Sequence, residues 1–126
     1  MKKSILVIDD ETSVGTLLDI SISQRGFHVE TALSGSEGIR KARQRQFDLI
    51  ILDVALPGMD GIEICQILRE IECYAETPII MISSRADTVT RQKACRAGAN
   101  EYLVKPFTSE TLLRRMGEYM SRPFFS

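Results

Sequence analysis

Leu49-Ile50-Ile51-Leu52-Asp53, four apolar residues followed directly by a carboxylic acid, is the stretch of this sequence that decides the fold. Two other runs have the same character, Ile5-Leu6-Val7-Ile8 and Ile79-Ile80-Met81-Ile82. Short, uninterrupted apolar runs rich in β-branched residues are typical of strands that are covered on both faces, as in a parallel sheet. Weaker strand patterns lie at residues 28–32 and 101–104.

Helical patterns separate these strands. Apolar residues recur at a spacing of three or four positions, which indicates one buried face on each helix. The stripes are Val14, Leu17, Leu18 and Ile22 in the first helix, Ile64, Ile67, Leu68 and Ile71 in the third, and Leu112, Leu113, Met116 and Met120 in the fifth. Ser34 and Glu37 have the capping-box spacing that begins the second helix. The fourth helix is predicted from about Asp87 to Arg96, with Gly98 as its stop.

The order of elements is therefore a strand followed by a helix, repeated five times. This alternation predicts an α/β domain with a doubly wound five-stranded parallel sheet, right-handed crossovers and helices on both faces. A chain of 126 residues fits one such domain. We assign residues 1–121 to it and residues 122–126 to a short C-terminal tail.

Composition excludes several classes of function. The formal net charge is -1, so the strong basic excess of a nucleic-acid-binding domain is missing, and we predict no direct nucleic acid binding. No apolar stretch approaches the length of a membrane span, which predicts no membrane insertion. Cys65, Cys73 and Cys95 include no C-x-x-C pair. Such a set favours reduced thiols and a cytoplasmic location over disulfides or a zinc site.

Polar residues follow four of the predicted strands, at the sheet edge where ligands bind in open α/β folds. These residues are Asp9, Asp10 and Glu11 after the first strand, Asp53 at the end of the third, Ser83 and Ser84 at the end of the fourth, and Lys105 after the fifth. Two carboxylates about 5 Å apart repel by roughly 3 kcal/mol at an effective dielectric constant near 20. Lys105 offsets part of this repulsion, and a hard divalent cation held by oxygen ligands, Mg²⁺ rather than Ca²⁺, would offset the rest.

A purely structural interpretation is that these acids cap helices, since Asp and Glu are common at helix N-termini. That interpretation accounts for Asp10 or Glu11 alone. It accounts poorly for Asp53, which ends the most apolar strand in the chain.

Four segments of the sequence resemble the receiver domains of response regulators. They are Val7-Ile8-Asp9-Asp10-Glu11, the segment from Asp53 to Gly61, Pro78-Ile79-Ile80-Met81-Ile82-Ser83, and the segment from Gly98 to Phe107 with its Lys105-Pro106 pair. The resemblance covers nearly the whole chain, in the family's order and spacing. It implies a flavodoxin-like fold with strand order 2-1-3-4-5.

The resemblance also implies a role for each site residue. Asp53 would be the nucleophile that takes a phosphoryl group. Asp10 would bind Mg²⁺ directly, Asp9 would bind it mainly through water, and Asp53 and the backbone carbonyl of Ala55 would complete the protein ligands. Lys105 would hold a phosphoryl oxygen, and its bond to Pro106 is a candidate for the cis form.

Ser83 and Tyr102 would form the switch that reports phosphorylation. By the resemblance, Ser83 donates its hydroxyl to the phosphoryl group and draws in the loop after the fourth strand. Tyr102 then moves from an exposed to a buried position, and the surface of the fourth helix, fifth strand and fifth helix changes shape. An ordinary half-buried strand tyrosine is the alternative for Tyr102.

The implied phosphodonor is a sensor histidine kinase or a histidine phosphotransfer protein, and the output partner is an unknown downstream protein. A homodimer through the fourth helix, fifth strand and fifth helix is a further possibility. We expect a phosphoacceptor, not a turnover enzyme. One alternative is a receiver-like scaffold that works without phosphorylation. Another is a haloacid-dehalogenase-type phosphatase, which needs a second acid two residues after the nucleophile, where this chain has Ala55.

Overall fold

The computed structural model describes residues 2–120 as alternating strands and helices. The strands are β1 (Ser4–Ile8), β2 (His28–Ala32), β3 (Leu49–Asp53), β4 (Ile79–Ser83) and β5 (Glu101–Val104). The helices are α1 (Thr12–Ser23), α2 (Gly35–Gln44), α3 (Gly61–Glu70), α4 (Thr88–Ala97) and α5 (Ser109–Tyr119), with a short 3-10 helix at Glu72–Tyr74. The predicted tail, residues 122–126, lies outside the described residues.

The strands pair in parallel in the order β2-β1-β3-β4-β5, which confirms the predicted strand order and the flavodoxin-like fold. The register sets which residues meet at the functional edge. Asp53, the last residue of β3, pairs with Ile82, and Ser83, the last residue of β4, pairs with Val104. The ends of β3, β4 and β5 are therefore level with one another at the edge where the sequence analysis places the polar residues.

Two apolar layers enclose the sheet. All apolar residues of β1, β3 and β4 are 0% exposed, as the continuous apolar runs predicted. On one face Ile64 of α3 and Ala94 of α4 join a core cluster, and on the other face Leu18 of α1 and Met116 of α5 join a second cluster. Each buried Leu, Ile or Met side chain of this kind stabilises the fold by about 1.5–3 kcal/mol. The sheet is thus a rigid support for the loops at its edge.

Side-chain caps fix the helix starts close to where the sequence places them. The Ser34, Asp87 and Thr108 side chains accept hydrogen bonds from the first-turn backbone N–H groups of α2, α4 and α5. Gly98 ends α4 with a φ of 109°, a left-handed conformation that glycine adopts without strain. The Glu37 carboxylate departs from the expected capping box, because it accepts from the N–H of Leu33 and not of Ser34.

The buried face of α1 is narrower than its apolar stripe predicts. Leu17 belongs to that stripe but is 56% exposed, and the neighbouring Ile20 is 54% exposed. Leu18 and Ile22 carry the contact with the core. The apolar periodicity identifies the helix, but it does not predict how much of the helix surface is covered by the rest of the domain.

The 3-10 helix after α3 was not predicted, and it carries a fully buried tyrosine. The hydroxyl of Tyr74 donates toward the carbonyl oxygens of Ala42 and Arg45 at 2.7 and 2.8 Å, and it accepts from the N–H of Phe47 at 3.2 Å. These bonds join the segment after α3 to the end of α2. None of the helices within residues 2–120 has the length and hydropathy needed to cross a bilayer.

Candidate functional site

Four strand ends deliver the predicted site residues to one edge of the sheet. Asp53 and Ser83 are the last residues of β3 and β4, while Asp9 and Lys105 come directly after β1 and β5. The loop after β1 is anchored by the N–H of Asp9, which donates to the carbonyl of Ala32 at 3.0 Å. The loop after β5 is anchored by the N–H of Lys105, which donates to the carbonyl of Ser83 at 2.7 Å. The predicted convergence of these residues is therefore observed.

Asp9, Asp10 and Asp53 form a compact carboxylate cluster. One carboxylate oxygen from each residue lies within 4.8 Å of those of the other two. Asp9 and Asp53 are 1% and 3% exposed, whereas Asp10 faces solvent. Two buried carboxylates beside a third are costly to hold together unless cations join them. The cluster is therefore arranged for a positively charged ligand.

Lys105 supplies the ammonium group of this cluster. Its Nζ donates to Asp9 Oδ2 at 3.0 Å and to Asp53 Oδ2 at 3.1 Å, which places it where it offsets part of the repulsion between these carboxylates. It also donates to Glu11 Oε1 at 2.9 Å, a contact that was not predicted from the sequence. The sequence does give an indication of this contact, because Glu11 directly follows the two aspartates that come after β1.

Burial raises the pKa of Asp53 from its ordinary value of 3.8 to about 6, and the negative charge of Asp9 acts in the same direction. The hydrogen bond and charge of Lys105 and the N–H of Ala55 oppose this rise in pKa. Burial tends to lower the pKa of Lys105, but the bonds to Glu11, Asp9 and Asp53 outweigh it and raise that pKa above its usual range. The ammonium thus stays charged, while the carboxylate cluster holds more negative charge than one lysine offsets.

The chain after Asp53 turns back closely on the site. Asp53 Oδ1 accepts from the N–H of Ala55 at 3.2 Å, and the N–H of Gly61 donates to the carbonyl of Val54 at 2.8 Å. A Cβ at position 61 would lie 2.8 Å from Val54 Cα and in still closer conflict with the carbonyl oxygen of Asp53. The N-terminus of α3 can approach the end of β3 this closely only because residue 61 has no side chain.

We expect Gly61→Ala to lower the free energy of unfolding by about 2 kcal/mol, because the added methyl group meets backbone atoms that have no room to move. Gly15→Ala is the matched control in α1, where a new Cβ would meet Thr31 Cγ2 at an ordinary 3.7 Å. That variant should gain about 0.5–1 kcal/mol from helix propensity. Urea denaturation of both variants measures the difference, and equal stabilities would contradict the tight packing around residue 61.

Ser83 and Tyr102 both form hydrogen bonds with the backbone of Arg85. The Oγ of Ser83, which is 0% exposed, accepts from the N–H of Arg85 at 3.0 Å. The hydroxyl of Tyr102 donates to the carbonyl of Arg85 at 2.6 Å. The Tyr102 ring is half-buried, and the guanidinium carbon of Arg91 lies 5.1 Å from its centre. The segment from Ser83 to Arg85 therefore connects the carboxylate edge to the face formed by α4 and β5.

A cavity of about 500 Å³ adjoins Lys105 on the side of α1. Its lining includes Val14 and the exposed Leu17 from α1, and Pro106 and Phe107 from the loop after β5. The Lys105-Pro106 peptide bond in this loop is cis, in agreement with the expectation from the sequence. The site is thus bordered by an open, largely apolar surface.

The donor set fits a magnesium ion. Asp9, Asp10 and Asp53 offer oxygen ligands alone, and one of the three residues is solvent-exposed. Hard oxygen ligands in small number, with access to water, suit Mg²⁺, which retains several waters when proteins bind it. The three aspartates that were predicted as ligands lie together. Ala55 contacts Asp53 Oδ1 through its N–H, and the role of its carbonyl stays a prediction.

The sequence matches a family model described as the response regulator receiver domain over residues 5–117. Among curated relatives, the response regulator ArlR of Staphylococcus aureus strain COL is 36% identical over 118 residues. The match covers 94% of this chain and 52% of ArlR, so the chain spans about half the length of the curated relatives it matches.

The solved structures that resemble this chain are also response regulators. The chemotaxis response regulator CheY4 of Vibrio cholerae is 34% identical, with a TM-score of 0.90 over 94% of this chain and 99% of CheY4. DrrB of Thermotoga maritima, described as an OmpR/PhoB homologue, is 31% identical with a TM-score of 0.88. That match covers 97% of this chain and 54% of DrrB. Both sequence and backbone similarity extend across the strand ends that carry Asp9, Asp53 and Lys105.

Proposed function

The chain belongs to the response regulator receiver domain family of two-component signalling, and from that premise we propose that Asp53 accepts a phosphoryl group in a magnesium-dependent step. The phosphodonor we propose is a phosphohistidine on a sensor histidine kinase or a histidine phosphotransfer protein. The receiver unit is proposed to comprise residues 1–121, with the reaction taking place in the cytoplasm.

One observation carries the proposal: a nearly buried Asp53 lies within reach of two further aspartates and one ammonium group. Asp10 would hold the magnesium ion directly, Asp9 mainly through water, and Asp53 and the carbonyl of Ala55 would complete the ligand set. When bound, the ion offsets negative charge on the phosphoryl group and orients it, which is much of what phosphoryl transfer requires.

The protein's own groups supply the remaining parts of the reaction. A carboxylate oxygen of Asp53 attacks the phosphorus, an O–P bond forms, and the P–N bond of the phosphohistidine breaks with its electron pair going to the imidazole nitrogen. Lys105, which now donates to Asp53 Oδ2 at 3.1 Å, would turn to a phosphoryl oxygen as a point charge. Asp53 is therefore the phosphorylated residue, and Lys105 stabilises the charge that arrives.

The switch we propose runs through Arg85. If Ser83 gives its hydroxyl hydrogen to the phosphoryl group, the loop that it shares with Arg85 moves toward the site. Tyr102 holds the carbonyl of that same residue, so its position depends on where the loop lies. The surface of α4, β5 and α5 then changes, and an unknown downstream protein or a second copy of the chain would read the change.

The cavity next to Lys105 supports a docking place for the phosphodonor protein. A histidine side chain must reach Asp53 across the edge of the domain, and the apolar residues Leu17 and Ile20 are exposed on the adjoining helix. Exposed apolar residues beside a reactive group are typical of protein–protein contact sites. We do not propose nucleic acid binding, since the formal net charge of the 126 residues is -1 and the strong basic excess of a nucleic-acid-binding domain is missing.

Two other functions fit less well. A haloacid-dehalogenase-type phosphatase needs a general acid–base two residues after the nucleophile, and Ala55 cannot provide it. A phosphorylation-independent scaffold would have no need for the three aspartates and the lysine that lie together here. We therefore propose a phosphoacceptor that assists its own phosphorylation and dephosphorylation, not a turnover enzyme.

Phosphoramidate with Mg²⁺ is expected to add the mass of one phosphoryl group to the protein, as measured by intact-mass spectrometry. The same mixture with excess EDTA should give almost no gain, because the charge of the carboxylate cluster would then be uncompensated. Asp53→Asn should give no gain under either condition, whereas Asp19→Asn on α1 is a control for the substitution itself. An equal gain in the Asp53→Asn protein would refute the assignment of the nucleophile.

A further inference from the structure

Glu11 belongs to the charged cluster, yet the phosphoryl transfer proposed above gives it no role. We propose that Glu11 is a positioning residue: it holds Lys105 in the resting protein and must release it before Lys105 can bind an incoming phosphoryl group. This inference rests on the proposed function of Asp53 and adds a restraint on the reactivity of that site.

All three hydrogen-bond donors of the Lys105 ammonium are in use. They go to Asp9 Oδ2 at 3.0 Å, Glu11 Oε1 at 2.9 Å and Asp53 Oδ2 at 3.1 Å. A lysine ammonium has three N–H donors, so it cannot add a phosphoryl oxygen without weakening one of these bonds. Phosphorylation of Asp53 moves the negative charge from the carboxylate to the phosphoryl oxygens. Lys105 must follow that charge, and its other two partners oppose the movement.

Of the three partners of Lys105, Glu11 is the one whose bond to the ammonium costs the least free energy to break. The Asp9 side chain is 0% exposed, and its other oxygen accepts from the N–H of Glu11 at 2.9 Å, so it is fixed in place. The Glu11 side chain is 57% exposed and can return to water when it leaves the ammonium. An ion pair with one solvated partner is weak and reversible, which suits a contact that must break during function.

The position of Glu11 at the start of α1 supports the same conclusion. Glu11 is the N-cap residue of α1, but its side chain makes no capping hydrogen bond. By contrast the N-cap residues of α2, α3, α4 and α5 have side chains that do cap the helix; they are Ser34, Asp60, Asp87 and Thr108. Ser, Thr, Asp or Asn would stabilise this end of α1 by about 1 kcal/mol. The longer side chain of Glu11 reaches Lys105 instead.

Loss of this contact should make the site more reactive. Without the charge of the Glu11 carboxylate, the bond that holds Lys105 is weaker and Lys105 is released more easily, and the edge of the sheet repels an anionic phosphodonor less. We expect Glu11→Gln to bind beryllofluoride, a stable mimic of a phosphoryl group, about three- to tenfold more tightly. The rate of phosphorylation by phosphoramidate should rise by a similar factor. Because the substitution also removes a charge beside Asp10, each variant is measured at a magnesium concentration that saturates it.

Two further variants separate the contact from the charge. Glu11→Asp keeps the charge but is one methylene shorter, so it should show most of the increase if the bond to Lys105 is what matters. Glu110→Gln makes the same change in charge on an exposed residue of α5 and should match the wild type. Titration calorimetry with beryllofluoride and time courses of intact mass with phosphoramidate give the two readouts, and urea denaturation shows that each variant is folded.

The possible outcomes are distinct. Tighter beryllofluoride binding and faster phosphorylation in both Glu11→Gln and Glu11→Asp would support the positioning role. An increase in Glu11→Gln alone would assign the effect to charge and overturn it, as would variants that behave like the wild type. If the wild type and Glu110→Gln take up no phosphoryl group at all, the proposed function itself fails, and with it the role of Glu11.

Discussion

Lys105→Met is expected to slow the phosphorylation of Asp53 by phosphoramidate at least about a hundredfold, the usual effect of removing one preorganised donor from a site of developing negative charge. Two causes act together. The phosphoryl oxygens lose the ammonium that would balance them. Asp53 also ionises less readily, because Lys105 contributes most of what counteracts the rise in its pKa. The rate is read from time courses of intact mass at saturating magnesium.

The same substitution should lower the free energy of unfolding by about 3 kcal/mol in metal-free buffer, because it leaves buried carboxylates without their partner. The side chains of Asp9 and Asp53 are 0% and 5% exposed, so water cannot replace Lys105 effectively. Magnesium should restore much of this stability but little of the rate. That contrast separates the contribution of Lys105 to the reaction from its contribution to the fold.

Lys93→Met, on the exposed surface of α4, is the control and should react like the wild type. Lys105→Arg should recover only part of the rate, because a planar guanidinium does not place its charge where a compact ammonium does. A Lys105→Met protein that is folded and reacts within threefold of the wild type would contradict the role given to Lys105.

The apolar runs were sufficient to predict a parallel sheet covered by helices on both faces, whereas the strand order was implied by the resemblance to receiver domains. Leu49 to Leu52 are uniformly apolar, and such a run is stable only between two layers of helices. The helix limits followed from local chemistry, as with Asp87 before α4 and Gly98 after it. Local patterns could not predict the exposure of Leu17, which depends on how far α5 and its preceding loop extend over α1.

The candidate site was predictable to the extent that topology determines it. Parallel strands bring Asp9, Asp53 and Lys105 to one edge whatever their rotamers. Two sets of contacts, one in the site and one away from it, depend on side-chain direction and were missed. The carboxylate of Glu11 accepts from Lys105. Away from the site, Arg69 binds the carbonyl oxygens of Tyr74, Thr77 and Gly98 and the side chain of Asn100. A charged residue in a helix pattern gives no indication of which distant acceptors the fold will bring to it.

Asp53→Asn, besides preventing phosphorylation, is expected to stabilise the metal-free protein at pH 7 by up to about 3 kcal/mol, the free energy that corresponds to a pKa moved from 3.8 to about 6. The wild-type carboxylate is destabilising in its charged form because it is buried beside Asp9. Asn keeps the shape of the side chain without that charge. Asp19→Asn, on α1, should change the stability little.

Because the pKa of Asp53 is raised in the folded protein, the difference in stability between the wild type and Asp53→Asn should depend on pH. Below pH 3.8 Asp53 is protonated in both the folded and the unfolded protein, so the two proteins should differ little. As the pH rises toward 6, the unfolded chain releases a proton that the folded chain retains, and the wild type loses stability relative to Asp53→Asn. Well above pH 6 the difference in the free energy of unfolding has reached its full value and no longer changes with pH. Asp10, Glu11 and Lys105 face the same site, but they are present in both proteins.

Magnesium provides the decisive comparison, because it should reduce the difference in stability between the two proteins. A cation bound among Asp9, Asp10 and Asp53 removes the repulsion that destabilises the wild type, and the Asn variant has one charged ligand fewer with which to bind it. Magnesium should therefore raise the free energy of unfolding of the wild type more than that of Asp53→Asn, in urea titrations at pH 7 with and without the metal. If the Asn variant were the less stable protein without metal, or if magnesium stabilised both proteins equally, Asp53 would not be the uncompensated charge at this edge of the sheet.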